Sequence, residues 1–273
     1  MRMNKRSIIL LLVCLAAAPS WSQNHEKRNV PGFVMISFRL PGTLILRQGQ
    51  ERSVEIEAPP GVIPKIDTRV TAGRLIIEPK VLDRKTFHQD FDYVKIYVTT
   101  LQLEDLHING SGKAIGEGKF DLEKITLNLA GAGTATLDMV ADSVLTNITG
   151  SGQLQLSGKI FFSHNNISGS GKTIMDASIE GHIQTHLSGS GEMNIKGSAD
   201  LLELMLAGSG KFNGPDFSVN KANIILTGGG QATLTVNQSL ETEVRGNGSI
   251  TYKGTPAKVT HKGNPKARIT KVD

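Results

Sequence analysis

The sequence has one cysteine, one tryptophan, three tyrosines and only 10 prolines in 273 residues. Cys14 lies in an N-terminal stretch that reads as a processing segment, so the rest of the chain has no thiol. This excludes a disulfide framework and thiolate chemistry, and leaves stability to packing and backbone pairing. Long apolar runs are missing too. Ile8 to Ala18 spans eleven residues, short of the about 18 needed to cross a bilayer. No stretch sustains a 3.6-residue apolar period, which argues against helices.

Arg2, Lys5 and Arg6 precede the Ile8–Ala18 run, and small residues Ser20 and Ser22 flank Trp21 ahead of Gln23. A positive start, a short apolar stretch and a small-residue cut site describe a secretory signal peptide over 1–22. Cys14 follows Val13 rather than a small residue, so it does not fit lipoprotein processing. The expected location is exported: periplasm, outer-membrane surface or secreted, with no transmembrane segment in the mature chain.

An excess of one charge is lacking as well. The 30 basic and 25 acidic residues give +5, and three of the basic residues leave with the first 22. The tail from Tyr252 to Asp273 holds six basic residues and one acid, so residues 23–251 carry about −3. A nucleic-acid protein would spread its basic stripe over the fold, so that class is excluded.

What the chain has is glycine, 30 residues of it, arranged in a repeat. A G-x-G element recurs at Gly110/Gly112, Gly131/Gly133, Gly150/Gly152, Gly169/Gly171, Gly189/Gly191, Gly208/Gly210, Gly228/Gly230 and Gly246/Gly248. The spacings are 21, 19, 19, 20, 19, 20 and 18. Two residues before each first glycine stands an aliphatic side chain: Ile108, Leu129, Ile148, Ile167, Leu187, Leu206, Leu226 and Val244. Alternation of period two continues on both sides, as in Leu154/Leu156 and Met193/Ile195, which marks half-buried strands. A period this short suits one coil of a parallel β-helix and is too short for a propeller blade. The glycines are expected where the chain bends against both adjacent coils. The fold class is therefore all-β, a parallel β-helix of about eight G-x-G coils over 101–254.

Residues 23–100 differ in texture and are expected to form an N-terminal β-rich cap, since an open stack exposes strand edges. Leu44–Leu46 and Val54–Ile56 read as strands, Ile66–Val70 and Leu75–Ile77 as a hairpin around Thr71-Ala72-Gly73, and Tyr93–Val98 as the strand entering the repeats. The basic tail, 255–273, suits blocking the other edge.

The reiterated G-S-G coils, with Gly42-Thr-Leu-Ile-Leu-Arg-Gln-Gly49 and Val54-Glu-Ile-Glu-Ala58 ahead of them, resemble the head GIN domain family. This is a bacterial domain of unknown function with an autotransporter-adhesin label, and the resemblance spans about residues 30–254. It implies a right-handed β-helix in the cell envelope and supplies no catalytic residues.

Several chemistries fail on their own terms. Ile167-Ser-Gly-Ser-Gly-Lys-Thr173 resembles the end of a phosphate loop, yet Asn166 stands where its leading glycine belongs, and no helix follows. Calcium-binding repeats need an aspartate that no G-x-G element here supplies. His182 and His186 lie about 13 Å apart on a strand, too far to share a metal. Ser111, Ser151, Ser170, Ser190 and Ser209 share a position with Ala132, Gly229 and Asn247, so smallness rather than a nucleophile is selected. Asp138, Asp176, Asp200 and Asp216 fall near coil corners without forming a recognisable pair. No catalytic, metal or cofactor residue is assigned.

One surface column remains. His107, Asn128, Asn147, Asn166 and His186 stand three residues before successive first glycines, followed by Met205 and Ile225. Such a column is either a side-chain ladder that ties coils together or a polar groove for a glycan or an envelope protein. The expected function is non-enzymatic: an exported solenoid presenting a rigid surface for adhesion or envelope assembly, able to associate with copies of itself. The alternative is a glycan-binding module or a carbohydrate-active enzyme on the same scaffold.

Overall fold

The structure, a computed structural model, describes residues 24–80, 91–265 and 267–272. The expected signal peptide, residues 1–22, lies outside the described residues. The repeats form seven long strands separated by the glycine corners: β9 (Lys113–Gly131), β10 (Thr134–Gly150), β11 (Gln153–Gly169), β12 (Lys172–Gly189), β13 (Glu192–Gly208), β14 (Lys211–Leu226) and β15 (Gln231–Val244). Each pairs in parallel with the next, one coil further on, as a solenoid requires. Ile148, Ile167, Leu187, Leu206, Leu226 and Val244 therefore stack in one column, and each is at most 1% exposed. Alternation sends these residues inward and their neighbours outward.

One inward column is not apolar. Thr146, Asn165 and Thr185 are in register and fully or almost fully buried. The Thr146 hydroxyl donates to Asn165 Oδ1 at 2.9 Å, and Asn165 Nδ2 donates to Ser163 Oγ at 3.1 Å. Pairing inside the core offsets the desolvation these groups suffer.

The two glycines of a corner exclude a side chain for different reasons, and the expected crowding from both adjacent coils is corrected to one. First glycines from Gly110 to Gly208 turn the chain with positive φ. A Cβ on Gly169 would also lie 2.7 Å from the Gly150 carbonyl oxygen. The second glycines, Gly112, Gly133, Gly152, Gly171, Gly191, Gly210, Gly230 and Gly248, have no positive φ. They are not themselves the bend, and contact alone keeps them bare. At Gly112 a Cβ would meet the Leu40 carbonyl oxygen at 2.4 Å. At Gly133, Gly171 and Gly191 it would meet the Cγ2 of Ile108, Ile148 and Ile167 at 2.7, 2.5 and 2.7 Å. At Gly210, Gly230 and Gly248 it would meet the carbonyl oxygen of Gly191, Gly210 and Gly230 at 2.9, 3.0 and 2.7 Å. Each of these nearest atoms lies on the N-terminal side of the stack, because the inward aliphatics and carbonyls of one coil fill the space beneath the next corner. A second family of corner glycines occurs eight residues after some first glycines. Gly118, Gly158, Gly197 and Gly254 all have positive φ.

The N-terminal region departs from chain order. Its strands are β1 (Asn24–Lys27), β2 (Met35–Phe38), β3 (Thr43–Gln48), β4 (Ser53–Ala58), β5 (Ile66–Thr71), β6 (Arg74–Pro79), β7 (Lys95–Thr100) and β8 (Asp105–Gly110). β5 and β6 form the expected hairpin, turned by Ala72 and Gly73 at φ 49° and 73°. That turn twists with the flanking strands. β2 pairs in parallel with β6 on one side and β8 on the other, and β3 likewise with β7 and β9. Residues 35–48 thus form a rung inside the stack, held between a rung made of β6 and β7 and one made of β8 and β9. Ile36, Phe38, Leu44 and Leu46 on it are fully buried.

β7 pairs with β3 and β4 rather than leading into the repeats. Tyr93 lies ahead of it and is exposed. The long-range pairing overrides the local reading, because the rung of β2 and β3 lies between β7 and β9. Antiparallel strands lie outermost at this end: among the described residues β1 pairs only with β4, and β5 only with β6.

At the far end the coil divides. β16 (Ser249–Lys253) and β17 (Lys258–Gly263) pair with the two halves of β15, and β18 (Arg268–Lys271) pairs with β16. The basic tail therefore adds strands to the stack.

Candidate functional site

The column from His107 to His186 faces outward, and its members behave differently. Asn166 Nδ2 donates to Asn147 Oδ1 at 3.0 Å, and Asn147 Nδ2 donates to Asn128 Oδ1 at 2.9 Å. Asn128 Nδ2 in turn donates to Asp105 Oδ2 at 3.0 Å, and Arg74 pairs with that carboxylate. At the other end His164 Nε2 lies 3.2 Å from Asn166 Oδ1. The three asparagines thus form a continuous amide ladder across three coils. His107 and His186 share the column but not its hydrogen bonds. Burial holds the His107 imidazole below its usual range, with Asp105 opposing that shift.

Beyond the ladder the same face opens into a groove of about 460 Å³. Two columns line it. One continues the ladder position as His186, Met205, Ile225 and Glu243. The other, two residues earlier on each strand, is Gln184, Glu203, Asn223 and Glu241. Met205 is 40% exposed on the groove floor. Among the described residues, the side chains of Gln184, His186 and Asn223 have no hydrogen-bond partner. Charges close the far end, where Lys262 Nζ donates to Glu241 Oε1 at 2.9 Å and Arg245 Nε donates to Glu243 Oε1 at 2.7 Å. The face is therefore self-satisfied along the asparagines and open around Met205.

The polar column read from the sequence reaches into the groove with Asn166 and His186 and ends there, where Met205 and Ile225 follow. Gln184, Glu203, Asn223 and Glu241 lie outside that column, although they recur five residues before successive first glycines. Asp105 and His164 occupy that position at the ladder. The signal was there, weakened by changing residue types.

His182 Nε2 lies 3.2 Å from Glu203 Oε2, at a groove edge away from His186. Among the described residues no group of three or more His, Cys, Asp or Glu is placed to hold a metal. Asp138 and Asp176 share a column with Ser157 between them, hence about 10 Å apart. Asp200 accepts from Asn220 at 2.8 Å. At the phosphate-loop look-alike, the Ser170 and Lys172 amides donate to Gly150 and Gly152 of the preceding coil, both at 2.9 Å. They are committed to the stack, and the chain continues as strand.

Comparison with known proteins agrees with this architecture. The family model described as "Putative auto-transporter adhesin, head GIN domain" matches residues 32–180 and 163–256. No curated protein matches the chain. Among solved structures, a "putative lipid binding protein" from Parabacteroides distasonis is similar at 21% identity, with a TM-score of 0.66 over 93% of this chain and 98% of that one. A "putative adhesin" from the same organism gives 17% identity and a TM-score of 0.66, with the same coverage. Another from Parabacteroides merdae gives 16% and 0.61, again over 93% and 98%. At these identities the likeness concerns the fold.

Proposed function

Because the chain belongs to the head GIN domain family, we propose that it is a non-enzymatic, exported β-solenoid whose groove face adheres to a component of the cell envelope. The family's adhesin description supports adhesion as the broad role. The signal-like N-terminus supports export. The observation that carries the reading is the contrast along one face. Asparagine amides that stabilise the stack satisfy one another, whereas among the described residues the side chains of Gln184, His186 and Asn223 have no hydrogen-bond partner and surround an exposed Met205. Convergent free polar groups around an apolar floor are what a binding site presents.

Retention of the purified chain on isolated envelope material tests this. The native chain should be retained. Met205→Arg, which puts a charge on the groove floor, should abolish retention without moving the thermal midpoint. Equal retention of the variant would remove the groove from the function. Shortened glycan products in the wash would overturn the non-enzymatic reading.

A further inference from the structure

Resting on that reading, we infer that the groove binds a linear polysaccharide laid along the stacking axis, about one sugar to each coil. Equivalent side chains on successive coils stand about 4.8 Å apart, so the four coils carrying Gln184, Glu203, Asn223 and Glu241 span about 14 Å from first to last. A bound β-strand presents same-side residues every 6.6–6.8 Å or so, and is already about 2 Å out of register with the coils after one step. An extended β-linked polysaccharide advances by close to one coil per sugar and keeps register.

Width argues the same way. The two lining columns are two residues apart on each strand, or roughly 7 Å. A helix about 10–12 Å across would also rest on the next column outward, which holds His182, Leu201 and Lys221. Those residues do not line the groove. A sugar ring fits between two columns.

The chemistry of the columns matches a ring with two kinds of surface. Gln184, Glu203 and Asn223 offer donors and acceptors to the hydroxyl edge. Met205 and Ile225, stacked on consecutive coils, offer an apolar strip to the C–H face. Among the described residues the side-chain amides of Gln184 and Asn223 have no partner to lose on binding, so their hydrogen bonds to ligand are not offset by broken ones.

The test is calorimetric titration of the full chain with β-1,4-linked glucose and N-acetylglucosamine oligomers of increasing length. Affinity should climb with each added sugar up to about four, the number of coils that carry Gln184, Glu203, Asn223 and Glu241, and then level off. Gln184→Ala/Asn223→Ala should lower the affinity of the longest oligomer about tenfold or more. Both residues are exposed, so an unchanged melting curve will certify the fold. Affinity independent of length, no binding by either series, or an unaffected double variant would each overturn the inference. If envelope retention is lost after protease treatment of the envelope but survives glycosidase treatment, the occupant is protein and the inference falls while adhesion stands. Length-dependent oligomer binding with no envelope retention would uphold the groove's ligand and overturn adhesion.

Discussion

Replacing Gly169 by alanine should destabilise the solenoid for two separable reasons, and three alanine variants separate them. Gly169 has φ +101°, and its added Cβ would sit 2.7 Å from the Gly150 carbonyl oxygen. The left-handed conformation costs a residue with a side chain about 1–3 kcal/mol. Displacing packed backbone adds about 1–3 kcal/mol. The expected loss is thus about 2–6 kcal/mol, near the upper end for single substitutions. Gly110 has φ +95° but nothing within 4 Å of its Cβ position, so Gly110→Ala should incur only the conformational part. Gly229 has neither an obstructing neighbour nor a positive φ, and Gly229→Ala should stay within about 0.5 kcal/mol. Stacked repeats can unfold in sections. Urea midpoints should therefore be joined by amide exchange read coil by coil, with the Gly169→Ala loss centred on the coils ending at Gly150 and Gly169. Equal losses for Gly169→Ala and Gly110→Ala would refute the claim that contact with the preceding coil selects glycine here.

Other consequences can be measured directly. Asn147→Ala removes both ladder hydrogen bonds of that residue and should lower stability by about 1–2 kcal/mol while leaving oligomer binding intact; a loss of binding at constant stability would make the ladder part of the site. Asn165→Ala leaves a buried hydroxyl without its partner and opens a void, and should cost about 2–4 kcal/mol in urea unfolding. A third concerns pH. Tyr97 donates to Glu57 at 2.6 Å, and this bond, with burial, pushes the tyrosine up to about 12. Its contribution is complete below the ordinary tyrosine value and is lost as pH rises through the raised one. The same bond, aided by Lys95, holds Glu57 below its usual range, so that contribution is present above the ordinary carboxylate value and disappears as pH falls through the lowered one. Tyr97→Phe should flatten the alkaline arm of the stability profile and weaken the acid arm; an unchanged alkaline arm would assign it elsewhere.

The repeat was legible because each coil writes the same rule into the chain: one aliphatic two residues before a corner that tolerates no side chain. Eight recurrences of Ile, Leu or Val at that place define a column without any structure. Asn165 was not legible, since an inward polar residue looks identical to an outward one until its partners Thr146 and Ser163 are in place. The corner glycines at 118, 158, 197 and 254 share a fixed offset, but Met139 and Ala177 fill the same place in other coils and hide the pattern. The site was half legible. The asparagines stood out because they repeat, whereas the groove is the part of the face where repetition stops. The order of the N-terminal rungs lay beyond reach, because a strand's alternation says which face it buries and nothing about which strands lie beside it.

The clamped rung of residues 35–48 decides how the molecule bears mechanical load. A terminal rung on an open stack peels, one hydrogen bond at a time, from a single neighbour. Traction on the N-terminus would first unzip the four residue pairs of β1 and β4 and then reach β2 and β3, each bonded on both sides. From there four ladders must slip together, and Phe38, Leu44 and Leu46 must leave the core in the same event. That end of the rod therefore yields in one abrupt step rather than unravelling, the response suited to a molecule that holds on to something.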